Sequence, residues 1–393
     1  MPKVEVSRRS VLGGLLAVPL IGGCTATKSD DTGRAHQAAA RSSRDVAALA
    51  ERERTHFFNP LLSDGADPWM VYHEGYYYFT CTTSYDIRVR RVRSLCDLAG
   101  SREHVVWTDR TPRRSRMMWG PEFYLLAGAD GQMRWYLYYS ASDGDHLNHR
   151  CHVLESQGDT PLGPYAYKGQ LRTDDDDRYY AIDTGLFVSS DRQRMHVAWA
   201  GHPGHVLYIS DMANPWTTRG RRVHLKAEGF GCEEVREGPI FLVRNGKAFL
   251  VYSICDTGKP DYKLGMLVAD EKADLLRPES WTQYPEPVFT RCDENGVFGP
   301  GHNGFFASPD GTEDWIVYHA KSTPMFTYRA RTPRAQRFTW RPDGTPDFGR
   351  PFPLSAVIPV PAGDPGASRS AAIFSEPTSR PATQRLRRNR DDP

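Results

Sequence analysis

Apolar and polar positions in this chain alternate with a period of two, in short runs that come in pairs. Residues 67–83 read DPWMVYHEGYYYFTCTT. A polar residue beside a proline opens the stretch, an apolar strand follows, His73-Glu74-Gly75 make a turn, and a second strand alternates aromatic and aliphatic residues. The same outline returns as GPEFYLLAGADGQMRWYLYYSAS from Gly120, DTGLFVSSDRQRMHVAWAG from Asp183, EGPIFLVRNGKAFLVYSI from Glu237 and GHNGFFASPDGTEDWIVYHA from Gly301. The intervening turns, such as RNG and SPDG, have good hairpin chemistry. Further strands are legible in YDIRVRRVRS, NHRCHVLES, HVLYISD and KLGMLVAD. Sustained helical periodicity is almost absent, so the pattern predicts an all-β protein.

The repeats decide the architecture. Asp67, Glu122, Asp183, Glu237 and His302 lie roughly 55 to 65 residues apart, a spacing that suits propeller blades of several short strands. Five repeats predict a five-bladed β-propeller over residues 56–362. The first strand of each blade lines the axis of such a fold, so these five polar residues should ring one mouth of the central channel. An acidic residue beside one turn is ordinary. Five polar residues in register point to a functional site on the axis.

The ends of the chain read differently. Residues 1–24 form an export signal: Arg8 and Arg9 are a twin arginine, followed by an apolar stretch too short to span a bilayer. Ile21-Gly22-Gly23-Cys24 resembles a bacterial lipobox, which would put a lipid anchor on Cys24. Residues 25–55 read as a polar tether with one short helix at 34–53. Residues 363–393, rich in Pro, Ser and Arg, read as a disordered tail. The expectation is an extracellular, cell-surface lipoprotein that touches the membrane only through its anchor and acts as a monomer.

Composition narrows the chemistry. The net charge of +2 over 393 residues gives no reason to expect nucleic acid as a partner. The 19 Tyr and 9 Trp suit sheet packing and sugar stacking alike. Six cysteines remain beside Cys24, with no CxxC and no zinc-ligand spacing, and in an oxidising location both bridges and buried thiols are open. Nucleophile-elbow, zincin, Walker and dinucleotide motifs are absent from the sequence.

A ring of carboxylates among aromatics has two main uses. It can hold a hard cation through oxygen ligands, or it can cleave a glycosidic bond, with one carboxylic acid protonating the leaving oxygen and one carboxylate activating water. Glu237 lies near Glu233 and Glu234, and that crowding should raise its pKa, as a general acid requires. Trp119 could offer a stacking face for sugar. His302, flanked by glycines, could support Ca2+ or Na+ in the channel through water; no cofactor is required for the chemistry itself.

At this point the motifs become familiar. The chain resembles glycoside hydrolase family 43, a five-bladed propeller family of inverting enzymes acting on arabinose- and xylose-containing glycans. GADPWMV, MWGPEFY, YAIDTGLFVSSD, REGPIFLVRNGKAFLVYS and the closing ENGVFGPGHNGFFASPDGTEDWIVYHA carry the resemblance, from about Phe58 to Pro351. It implies Asp67 as general base, Glu237 as general acid and Asp183 as the residue that orients and tunes the acid. Trp119, Glu122 and His302 would contact substrate. Arg236 replaces the usual Asn before the acid, and Gly120 replaces Ala in the second motif; both are expected to flank the pocket and alter substrate preference. The closing region reads most like the α-L-arabinofuranosidase branch. A β-xylosidase, a silent glycan-binding propeller and a calcium-dependent structural module are the competing expectations.

Overall fold

The computed structural model describes residues 51 and 54–367. The twin arginine, Cys24, most of the tether and residues 368–393 lie outside the described residues. Five four-stranded antiparallel sheets follow one another along the chain, each built from contiguous sequence. Blade 1 comprises Ala66–His73, Tyr76–Thr82, Ile87–Val92 and Glu103–Trp107. Blade 2 comprises Arg116–Ala127, Met133–Ser142, Arg150–Ser156 and Tyr165–Gln170. Blade 3 comprises Ala181–Val188, Met195–Gly201, Val206–Asn214 and Thr217–His224. Blade 4 comprises Arg236–Arg244, Lys247–Ile254, Lys263–Asp270 and Thr282–Gln283, and blade 5 Phe298–Ala307, Asp314–Lys321, Thr332–Trp340 and Pro346–Asp347. The protein is therefore the five-bladed β-propeller that the repeats predict.

The period-two pattern explains the packing. Successive side chains leave opposite faces of a strand, so each blade offers one apolar face to either neighbour. Five large interblade cores result. Met70, Tyr77 and Phe79 of blade 1 meet Phe306, Trp315 and Val317 of blade 5. Trp69 and Tyr78 meet Phe123, Trp135 and Leu137 of blade 2. Tyr136 and Tyr138 meet Leu186 and Trp199 of blade 3. Phe187 and Ala198 meet Leu250 and Tyr252 of blade 4, and Phe249 and Val251 meet Ile316 and Tyr318 of blade 5. Buried on both faces, the second strands are the most apolar of each blade, which is why they are the easiest to read in the sequence.

Closure uses the chain ends. His56–Phe57 pairs with Ile358–Pro359 in a two-stranded sheet. The buried Asn59 side chain donates to the carbonyl of Ala335 and accepts from its N–H, at 3.0 and 2.9 Å. The expected tail starts too early. The N–H of Leu95 donates to the Asp364 carboxylate, and the N–H of Ala367 to the carbonyl of Arg54. Residues 363–367 thus belong to the folded domain, because they supply partners for backbone groups of blade 1 and the entry segment.

One disulfide joins Cys232 to Cys255, with Cα atoms 5.1 Å apart. Among the described residues Cys81, Cys96, Cys151 and Cys292 are free thiols. The bridge ties the loop before Glu237 to the end of the adjacent strand. Replacing both cysteines by Ala should lower stability by about 3 kcal/mol, the entropy expected for a cross-link across this separation. Urea unfolding of the double variant against the oxidised protein measures it.

Candidate active site

The inner strand of every blade breaks its pairing near its start, and this bulge builds the site. Register shifts fall between Ala66 and Trp69, Trp119 and Glu122, Ile182 and Thr184, Glu237 and Ile240, and Gly301 and Gly304. Each break carries one left-handed residue: Asp67 (φ 55°), Gly120 (φ 50°), Asp183 (φ 54°), Gly238 (φ 54°) and His302 (φ 45°). The extra residue of a bulge leaves the ladder and re-aims its side chain. Here it points the five positions at the axis.

Each ring residue also turns its backbone N–H toward a side chain on another blade. Asp67 donates to His319 Nδ1 (3.1 Å), Gly120 to Thr82 Oγ1 (2.9 Å), Asp183 to Ser140 Oγ (3.1 Å) and His302 to Ser253 Oγ (2.8 Å). These acceptors occupy one repeating place, the second-strand residue paired with the residue before the bulge. In blade 3 that place is Ala200, paired with Ile182, and Ala has no acceptor. Asp183 Oδ2 takes over, accepting from the Gly238 N–H at 3.2 Å. The carboxylate of Asp183 is thereby fixed one residue from Glu237.

The ring differs from the sequence expectation in two blades. Gly120, and not Glu122, holds the axial place of blade 2. Glu122 pairs regularly with Tyr138 beyond the bulge, is buried, accepts from the Tyr124 hydroxyl at 2.5 Å and does not line the cavity. Its burial pushes its pKa well up. A Cβ on Gly120 would stand 3.3 Å from Asp183 Oδ1 and 3.7 Å from His302 Nε2, so the glycine leaves the axis to those two side chains. In blade 4 the axial residue is Gly238, and Glu237 enters the cavity from one position earlier. Arg236, expected beside the pocket, points the opposite way. Its buried guanidinium donates to the carbonyls of Ala227, Val235 and Gly229 and holds the loop that precedes Glu237.

One cavity of about 590 Å³ is lined by Asp67, Asp183, Glu237, His302 and Trp119. His146, Tyr180, His205, Tyr328 and Arg331 complete most of its wall. Trp119 stacks on His149 with centroids 4.0 Å apart, which sets its ring in that wall. A second cavity of about 350 Å³, between Arg172–Asp176 and Gly220–Arg222, holds none of the predicted residues. His205, Tyr262, His319 and Arg331 were not singled out from the sequence. Only His205, in the turn HPGH between two strands, carries a local signal.

The electrostatics separate the three acids. Burial alone would raise Asp67, but His302, with Nδ1 3.2 Å from Oδ1, and Arg331, with Nη1 3.3 Å away, hold it well below the usual carboxylate range. Thr82 Oγ1 donates to its other oxygen at 2.7 Å. Burial raises Asp183 to about 7; His302 opposes this, while Glu237 and Asp67 add to it. Burial also works to raise Glu237, but His205, 3.4 Å away, the Tyr262 hydroxyl at 2.7 Å and His302 outweigh it and bring Glu237 down. The upward shift expected from Glu233 and Glu234 is absent. Glu233 lies 3.6 Å from the Arg236 guanidinium, and Glu234 pairs with Lys259, so neither loads Glu237 with negative charge. His302 is raised: burial disfavours its charge, but Asp67, Asp183 and Glu237 surround it.

The donor set does not fit an ion held by side chains. Among the described residues no three His, Cys, Asp or Glu groups converge to hold a metal. His302 Nδ1 faces carboxylates instead of an open position.

The raised Asp183 has a consequence for stability. The unfolded carboxyl titrates near 3.8 and the folded one near 7, so the native state binds the extra proton and loses stability as pH rises across that interval. Asp183→Asn keeps an acceptor for the Gly238 N–H and removes the charge. Its Tm should exceed that of the wild type at pH 8 and approach it toward pH 4. A lower Tm at pH 8 would show that attraction to His302 outweighs burial.

Known proteins resemble the chain in sequence and fold. The family model described as Glycosyl hydrolases family 43 matches residues 57–346. An extracellular exo-α-(1→5)-L-arabinofuranosidase of Streptomyces avermitilis is 38% identical over 325 residues, covering 77% of this chain and 65% of that protein. α-L-Arabinofuranosidase 43 of Humicola insolens is 34% identical over 319 residues, covering 76% of this chain and 64% of that protein. The chain thus spans slightly under two thirds of the length of these curated relatives. The crystal structure of an α-L-arabinofuranosidase from Lactobacillus brevis superposes with a TM-score of 0.69 at 33% identity, over 76% of this chain and 98% of that one. With three quarters of its length matched by the family and its five blades built alike, the chain belongs to glycosyl hydrolase family 43.

Proposed function

We propose that the protein is an inverting glycoside hydrolase that removes terminal α-L-arabinofuranosyl residues from arabinose-containing plant polysaccharides or oligosaccharides. The observation that carries this reading is the convergence of Asp67, Asp183 and Glu237 on one cavity, with Asp67 held toward its ionised form by His302 and Arg331. A carboxylate held ionised suits the base, and a second carboxyl group in the same cavity is available as the acid. The relatives named above are arabinofuranosidases, which favours that sugar over xylose. Their extracellular member supports an exported protein, with the twin arginine and a lipid anchor at Cys24 as the route and tether. The protein acts as a monomer in this reading.

Asp67 is the base. Its left-handed backbone, the Thr82 hydroxyl and the His302 and Arg331 cations hold one carboxylate oxygen pair in place, and water beside it attacks the anomeric carbon. Glu237 is the acid. A bound sugar displaces water from it and so strengthens the burial that raises it, against His205 and Tyr262. Asp183 neither attacks nor donates to the sugar. Through the Gly238 N–H it fixes the backbone beside the acid, and its charge state sets the field that Glu237 feels. Retained separation between base and acid would admit the water that inversion requires.

Glu237→Gln should lose about 10²–10⁴-fold in kcat/KM on arabinotriose, a poor leaving group, and far less on an aryl arabinofuranoside activated by nitro groups. Asp67→Asn should fail on both, because every turnover needs an activated water. Equal losses for Glu237→Gln on the two substrates would remove it from the acid role. Product stereochemistry, followed by NMR during the first turnover minutes, decides inversion.

A channel cation held through water on His302 is a separate proposal, with calcium or sodium as the ion, and no step above runs through it. If it is right, either EDTA treatment lowers the Tm and Ca2+ restores it, or exchange of Na+ for a bulky organic cation lowers the Tm and Na+ restores it; an unchanged Tm and rate under both treatments reject it.

A further inference from the structure

The mouth of the cavity carries an apolar surface that the chemistry above does not use. Loop 322–331, between the second and third strands of blade 5, leaves Met325, Phe326 and Tyr328 exposed by 70%, 58% and 53%. Side chains of this kind are ordinarily scattered singly. Here they share one loop, and Tyr328 and Arg331 of that loop also line the cavity. The surface is therefore continuous with the candidate active site.

The loop is built to hold its shape. Lys321 is completely buried, and its ammonium donates to the carbonyls of Gly258 and Met325. The N–H of Thr327 donates to the same Gly258 carbonyl at 2.9 Å, and Arg331 Nε to the carbonyl of Tyr328 at 3.0 Å. Burial of an ammonium is costly unless its protons are used. Here they fix an exposed loop to the neighbouring blade. The Phe326 ring lies directly on Gly258, where a Cβ would come within 2.8 Å of Cζ. Phe326 and Tyr328 meet edge to face at 5.3 Å, and the Tyr328 hydroxyl donates to Asp256 at 2.9 Å. The result is a rigid aromatic pair with a polar edge.

We propose that this pair is a sugar-binding platform for the leaving-group side of an arabino-oligosaccharide. The inference rests on the arabinofuranosidase reading. In an enzyme that removes a terminal sugar, that sugar occupies the buried carboxylate ring and the rest of the chain must leave through the mouth. A furanose ring presents apolar C–H groups on one face and hydroxyls at its edge. Phe326 and Tyr328 offer the matching apolar face, and Asp256 with the Tyr328 hydroxyl offers the polar edge. Preorganisation by Lys321 and Gly258 spares the ordering cost of binding.

The test compares Phe326→Ala and Phe326→Trp with the wild type on arabinotriose and on an aryl arabinofuranoside. Loss of the ring should lower kcat/KM on arabinotriose about tenfold more than on the aryl glycoside, with Trp restoring it. A second measurement removes turnover. Arabinotriose should bind Glu237→Gln about tenfold more tightly than Glu237→Gln/Phe326→Ala, by calorimetry. Equal losses on both substrates, equal Kd values, or no binding to either protein would overturn the platform. Wild-type protein that hydrolyses no arabinofuranoside would overturn the functional reading instead, and the Kd comparison would still decide the platform.

Discussion

A backbone N–H turned toward the axis in each blade is the constraint on which the site depends. The bulge that frees it from the ladder also puts one residue into the left-handed region and aims its side chain at the channel. The N–H must then find an acceptor, because a buried donor without one is destabilising by about 1–3 kcal/mol. Thr82, Ser140, Ser253 and His319 serve four of the five donors. Their net gain of about 1 kcal/mol each is no larger than the strain of a left-handed Asp or His, about 1–3 kcal/mol. The ring is consequently held by the five interblade cores around it, and its geometry survives only while those cores are intact.

Blade 3 departs from the repeat, and the placement of the Asp183 carboxylate follows from the departure. Ala200 stands where the other blades place an acceptor, so Asp183 serves the Gly238 N–H with its own carboxylate. That bond crosses from blade 3 to the strand bearing Glu237. Gly120 and Gly238 complete the arrangement by leaving room on the axis for Asp183 and His302. Removing a side chain at two ring positions is as necessary as supplying one at the other three.

Charge is distributed in the same economical space. His302 faces Asp67 and Asp183 together, at 3.2 and 3.9 Å. Burial should neutralise all of these groups, yet each cation lowers a carboxylate and each carboxylate raises a cation. Arg331 adds a second positive charge at Asp67 alone, and His205 sits at Glu237. His319 stays neutral: burial brings it down to about 4, and its Nδ1 accepts from the Asp67 N–H. The acids of one cavity thus acquire different protonation states from the placement of their neighbours.

The sequence by itself determined the blades. Period-two alternation and hairpin turns are local, and repetition at a nearly constant interval makes them unambiguous, so the number of blades and their inner strands were legible. Asp67, Asp183, Glu237 and His302 were legible for the same reason, each lying at the start of an inner strand. Only the tertiary structure decided which residues share the axis. A bulge shifts side-chain direction by one residue, and no composition rule marks it; that is why Glu122 was read into a ring position that Gly120 occupies. The acceptors Thr82 and Ser140, and the partners His205, Tyr262 and Arg331, come from strands and loops remote in sequence from the acids they touch. Their effect on Glu237 ran opposite to the one expected from its sequence neighbours Glu233 and Glu234, because pKa values follow distance in space, and the charges nearest Glu237 in the fold are not those nearest in the chain.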